Sequence, residues 1–214
     1  MKLQFKHQSF QREAARAVVD AFLGQPLEDA FTYRMDMGNG GLALEAQGFR
    51  NQELQLSDAQ LTENIRAIQT KGELQPVNHV RRDAHGTLAL SVEMETGTGK
   101  TYTYIKTMYE LYKHYGWTKF IIVVPSVAIR EGVLKSLETM ADHFAEEYGE
   151  RMQHFVYDSS RLTAIDQFAS DSKLHVMVIN TQAFNATGAA ARRIGMQLEE
   201  FGWRRPVDVI GETR

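Results

Sequence analysis

The sequence contains no cysteine. Disulfides, thiolate metal sites and cysteine nucleophiles are therefore excluded. It also lacks any apolar run approaching the ~18 residues that a membrane helix requires. Its first residues, Met1–Gln8, are polar and basic, with no apolar stretch of the kind that marks a signal peptide. A soluble, cytoplasmic chain with no membrane association is expected. A basic excess is missing too: 24 Lys and Arg stand against 27 Asp and Glu, a formal net charge of −3. Any contact with nucleic acid must then be local. The seven histidines never fall at metal-site spacing and are expected to be ordinary surface or core residues. What is present is globular: 43% of the 214 residues are hydrophobic and 24% are charged, enough for one α/β domain with an insertion.

Residues 1–26 read as a helix unit, with Ser9 as its cap and Ala14, Ala17, Val18, Ala21 and Phe22 on one face. Residues 27–86 have the texture of an insertion. Phe31, Tyr33, Met35 and Met37 alternate with polar residues at the period of a strand. Gly38-Asn39-Gly40-Gly41 can turn the chain, and Leu42–Gln47 can return it. A helix follows, with Ser57 and Gln60 at capping-box spacing and Gly72 at its end. From 87 to 214, strands alternate with helices. The strands are read at Leu88–Glu93, Phe120–Pro125, His154–Tyr157 and His175–Asn180. The helices are read at Lys100–Tyr115, Val127–Tyr148, Leu162–Phe168 and Ala189–Phe201. Ile121-Ile122-Val123-Val124 and Val176-Met177-Val178-Ile179 are unbroken apolar runs, the signature of parallel strands covered on both faces.

The strongest signal is Met94-Glu95-Thr96-Gly97-Thr98-Gly99-Lys100-Thr101, at a junction read as strand to helix. Gly97 and Gly99 free the backbone to approach a polyphosphate. The amides from Gly97 to Lys100 can then form an anion nest at a helix N-terminus. Lys100 supplies a charge for the β- and γ-phosphates, and the Thr101 hydroxyl a ligand for Mg²⁺. ATP with Mg²⁺ is the expected cofactor, with Thr96, Gly97, Thr98, Gly99, Lys100 and Thr101 as its seat. The usual pattern opens on glycine, where this chain has Met94.

Upstream, Phe10-Gln11-Arg12-Glu13-Ala14-Ala15 begins the first helix, and the Gln11 amide suits the N6/N7 edge of adenine. Together with the phosphate loop and Ile121-Ile122-Val123-Val124-Pro125-Ser126, this segment resembles superfamily 2 helicases and translocases, as their Q-motif, motif I and motif Ia. Val178-Ile179-Asn180-Thr181-Gln182 resembles the later strand end that touches nucleic acid in that family. Phe5-Lys6-His7-Gln8 followed by Gln11, the long insertion and the wording of motif I resemble the Res subunit of type III restriction enzymes. The resemblance implies a RecA-like P-loop NTPase core, a parallel sheet flanked by helices with the hairpin and helix inserted. It implies ATP hydrolysis coupled to DNA translocation and endonuclease action, and a modification methyltransferase (Mod) partner. It makes Gln11 the adenine reader, with Gln8 the lesser candidate. It makes Pro125, Ser126, Thr181 and Gln182 contacts to DNA phosphates, which position a strand without reading it. Arg192, Arg193, Arg204 and Arg205 are read chiefly as solvated surface and otherwise as DNA or partner contacts.

One part is missing. Hydrolysis needs a second Mg²⁺ carboxylate and a base for water, which this family draws from an apolar strand ending in Asp-Glu. No such strand follows Lys100; Val207-Asp208-Val209-Ile210-Gly211-Glu212 places its acids wrongly. The expectation is an incomplete C-terminal side of the fold, and a chain that binds ATP without hydrolysing it. The competing readings are another superfamily 2 motor (a type I restriction motor or a repair helicase), a nucleotide-binding module without catalysis and, weakest, a small-molecule kinase.

Overall fold

The computed structural model describes residues 5, 8–28, 31–35, 46–185, 193–198, 201 and 204–213. They group into two compact units that interleave along the chain: Met1–Leu27 with Leu54–Tyr115, and Glu28–Glu53 with Gly116–Arg214.

The first unit is helical. Helix α1 (Ser9–Ala21) starts one residue after its N-cap, Gln8, and has no side-chain cap. Ser9 is thus the first helical residue rather than the cap. Ala15, Val19 and Ala21 are buried along a face that packs on α3 (Lys100–Tyr115). Tyr102, Tyr109 and Tyr115 of α3 are all buried, so the tyrosine-rich helix is a packing element. The Tyr115 hydroxyl donates to the Val19 carbonyl at 2.8 Å, which satisfies a polar group that burial would otherwise make costly. Helix α2 (Asp58–Lys71) opens on the complete capping box of Ser57 and Gln60. It buries Leu61 beside Leu56 and Val80. Asn64 donates to the carbonyls of Ala21 and Leu23, closing the C-terminal end of α1.

The second unit holds a longer hairpin and a parallel sheet. Strands β1 (Phe31–Met35) and β2 (Ala46–Arg50) form an antiparallel hairpin, Phe31 opposite Arg50 and Met35 opposite Ala46. The return strand thus sits later than 42–47. The Gly38–Gly41 turn and residues 42–45 lie outside the described residues. Strands β5 (Lys119–Val124), β6 (Gln153–Val156) and β7 (His175–Asn180) form a parallel sheet in the order β5-β7-β6. Helix α4 (Val127–Tyr148) links β5 to β6, and α5 (Thr163–Ser170) links β6 to β7. The core is Met177 and Ile179 of β7, Ile165 and Phe168 of α5, and Val209 and Ile210 of α7 (Pro206–Gly211).

Two strand readings change. Only Leu88–Ala89 (β4) of the span 88–93 is a strand, paired antiparallel with Arg81–Arg82 (β3) in the first unit. A period-two apolar pattern shows which residues share a face but supplies no neighbour to pair with. Leu90 and Val92 stand 40% and 54% exposed. In β5, Ile121 and Val123 are 41% and 53% exposed, because β5 is an edge strand of the described sheet. β7, at its centre, is buried from His175 to Ile179. The helix read at 189–201 lies largely outside the described residues; Arg193–Gly195 is a single 3₁₀ turn.

Asn51 ties the hairpin to the sheet. Its Oδ1 accepts from the amides of Thr118 and Lys119, and its Nδ2 donates to the Lys119 carbonyl. Its own amide donates to the Thr213 carbonyl at 3.0 Å.

Candidate functional site

The candidate residues fall into two groups, one in each compact unit. In the first unit the chain reaches Met94 without regular structure, turns at Thr96-Gly97 and enters α3 at Lys100. Gly97 and Gly99 have φ of 83° and 86°, a region in which an L side chain is strained. These two glycines let the chain reverse within four residues. A Cβ on Gly97 would meet no atom within 4 Å, so one side of the loop is open. The loop is closed from within through a single acceptor. The Glu95 carbonyl takes the Lys100 ammonium at 2.8 Å and the Thr98 hydroxyl at 2.6 Å.

Gln11 reaches this loop across 87 residues of sequence. Its Nε2 donates to the Thr98 carbonyl at 2.8 Å. A Cβ on Gly99 would lie 2.3 Å from that same nitrogen, so any side chain there would push the Gln11 amide away, while φ alone is what calls for glycine. Gln8, the other candidate, is the exposed N-cap of α1. Thr101 sits half-buried in the first turn of α3, and Lys100 is exposed. The Phe5 ring lies against Tyr102, centroids 6.0 Å apart, a contact the residue pattern did not reveal. Lys6 and His7 lie outside the described residues.

The loop fits a polyphosphate: two positive-φ glycines, open space beside Gly97, the N-terminus of a 16-residue helix and an exposed Lys100. Lys100 and the amides around Gly97 and Gly99 could hold the phosphates, with Thr101 offering a hydroxyl to Mg²⁺. Among the described residues no three His, Cys, Asp or Glu side chains gather where they could hold a metal by themselves.

In the second unit, Pro125, Ser126, Thr181 and Gln182 come together at one edge. Parallel pairing sets Val124 beside Asn180, and the Thr181 amide donates to the Val124 carbonyl at 2.9 Å. Both chains therefore leave the sheet side by side. Pro125 is exposed, and the Ser126 hydroxyl caps α4 by accepting from the Ile129 amide at 3.3 Å. Gln182, also exposed, opens the short helix α6 (Gln182–Asn185).

The C-terminal arginines do not share one environment. Arg204 is mostly buried: it pairs with Asp166 at 2.9 Å, and its guanidinium lies over the Phe201 ring at 4.1 Å. That corrects its reading as solvated surface. Arg205 pairs with Asp208 at 2.6 Å. Arg192 lies outside the described residues.

The opposite end of the sheet holds two buried ionisable side chains. Lys119 and His175 pair in register and are 5% and 4% exposed. Burial pushes the Lys119 ammonium down to about 8, partly offset by Asp171. Burial, then the neighbouring Lys119, pushes the His175 imidazole down to about 4.

A family model described as type III restriction enzyme, res subunit, matches residues 5–199. The chain is 37% identical over 150 residues to the type III restriction-modification enzyme EcoPI Res subunit of Escherichia phage P1, covering 61% of this chain and 15% of that protein. It is 36% identical over 155 residues to the EcoP15I Res subunit of Escherichia coli, covering 64% of this chain and 16% of that one. The StyLTI Res subunit of Salmonella typhimurium matches at 37% over 115 residues, 45% of this chain and 12% of the relative. The chain thus spans a small fraction of the length of the curated relatives it matches.

Proposed function

The chain belongs to the type III restriction enzyme Res-subunit family, and from that premise we propose that it is the ATP-binding segment of a DNA translocase coupled to endonuclease action. ATP with Mg²⁺ would sit on Thr96, Gly97, Thr98, Gly99, Lys100 and Thr101, with Gln11 at the adenine. Mg²⁺ supplies neutralisation of the phosphate charge. A DNA strand would lie across the strand ends, its phosphates met by Pro125, Ser126, Thr181 and Gln182. The partner would be a modification methyltransferase subunit.

One observation carries the reading: a loop with two positive-φ glycines running into Lys100 at the first turn of a long helix. The single alternate conformation that makes such a loop costly without glycine is also what turns successive amides toward one side. The sequence holds no apolar run ending in Asp-Glu, the usual source of the second Mg²⁺ carboxylate and the base, and the proposal is nucleotide binding without sustained turnover by this segment alone.

Calorimetric titration of the purified chain with Mg-ATP tests this. Lys100→Ala is expected to weaken binding at least ~10-fold, the loss of one charge-assisted contact. Equal affinity in both proteins would defeat the phosphate-seat reading. Steady ATP turnover that Lys100→Ala abolishes would defeat the claim that the chain binds without hydrolysing.

A further inference from the structure

Gln11 does something in this structure that reading a base does not require. Its side-chain nitrogen donates to the Thr98 carbonyl at 2.8 Å. That carbonyl belongs to the peptide unit joining Thr98 to Gly99. No peptide bond in the described chain is cis, and in a trans, planar peptide the C=O and N–H point in opposite directions. Holding the Thr98 oxygen toward α1 therefore aims the Gly99 N–H away from it. The two glycines on either side of Thr98 give this peptide plane little torsional restraint of its own. Something outside the loop must fix it.

We propose that Gln11 is a positioning residue for the phosphate loop: by gripping the Thr98 carbonyl it sets the Thr98–Gly99 peptide so that the Gly99 amide faces a bound phosphate. The inference rests on the phosphate-seat reading and goes beyond base recognition. A glutamine amide carries two donor hydrogens and an acceptor. One hydrogen held by Thr98 leaves the second hydrogen and Oε1 for a base. The same side chain then bridges the base and the phosphates, and neither role excludes the other. The close packing at Gly99 supports the assignment. A methyl group there would come within 2.3 Å of Gln11 Nε2 and would push the amide off the Thr98 carbonyl, so the grip needs the bare backbone at this position.

A ligand with no base separates positioning from base reading. Inorganic tripolyphosphate with Mg²⁺ is titrated into wild type, Gln11→Met and Gln11→Glu, with ATP in parallel. Methionine keeps the length and helix propensity of glutamine but cannot donate. Loss of one hydrogen bond at this position is expected to weaken tripolyphosphate about 5- to 10-fold. Gln11→Glu, which points a carboxylate at a carbonyl and at phosphate, is expected to weaken it further. The Gly99 amide resonance in ¹⁵N-labelled protein is expected to move in Gln11→Met while the resonances of α2 stay in place, a readout that also verifies folding. Tripolyphosphate affinity within twofold of wild type in a folded Gln11→Met that has lost ATP affinity would overturn the proposal and leave Gln11 a base reader alone. Wild-type protein that binds neither ligand would overturn the phosphate-seat reading itself, and this inference with it.

Discussion

Ile121-Ile122-Val123-Val124 and Val176-Met177-Val178-Ile179 look interchangeable as sequence. In the folded chain they lie side by side, Ile121 opposite Met177, yet every residue of the second run is fully buried, while Ile121 and Val123 stand about half exposed. The difference does not come from the residues. It comes from position in the sheet: β7 has a strand on each side and packs against α4 and the α5–α7 core, and β5 has one described neighbour. Apolar composition reports that a strand can be covered, and topology decides whether it is.

The comparison breaks most sharply by deleting side-chain volume in the central strand. Met177→Ala is expected to cost about 3 kcal/mol in denaturant unfolding, the usual price of an unfilled core site. A cost below ~1 kcal/mol would mean that β7 is not the centre of the core.

The buried ends of the same two strands give the next effect. His175 is held neutral well below its ordinary 6.5, at about 4. Its folded pKa lies below its unfolded one, so the unfolded chain binds the proton more readily. Stability is full above pH 6.5 and falls as pH drops toward 4. A shift of this size corresponds to at most ~3 kcal/mol. His175→Phe, which keeps a ring against Phe155 and Phe168, is expected to flatten unfolding free energy over that window. An unchanged slope would place the titration elsewhere. Lys119 has the same sign in another window: its stability is full only above 10.5 and is lost as pH falls through about 8. The folded chain therefore carries a charged, buried ammonium at neutral pH.

The smallest effect belongs to the edge. Val123→Thr swaps a methyl for a hydroxyl at a half-exposed position and is expected to change stability by less than ~0.5 kcal/mol. Val178→Thr at the centre should cost several times more. Equal costs would show that the outer side of β5 is covered in solution.

Much of this is legible in the sequence. α3, α4 and β7 fall where their patterns put them, because periodicity and capping are local. Ser57 with Gln60, and Ser126 at the head of α4, announce themselves for the same reason. Gly97 and Gly99 were legible because their φ requirement is a property of the residue. The span 88–93 was not, since alternation marks faces and the partner that makes a strand lies elsewhere. Nor was Arg204, whose carboxylate is 38 residues away at Asp166. Gln11 is the instructive intermediate: its place in the first turn of α1 was legible, but its hydrogen bond to Thr98 is a long-range side-chain contact that no spacing encodes.

Asn51 has a consequence in time. Its side chain waits for Thr118 and Lys119, and its amide for Thr213, so the hairpin is fastened in two stages and the second needs nearly the whole described chain. At usual rates of synthesis that delay is on the order of ten seconds. Before either stage the residues of α1 and α3 have been made, so the first unit can already have closed α1 against α3.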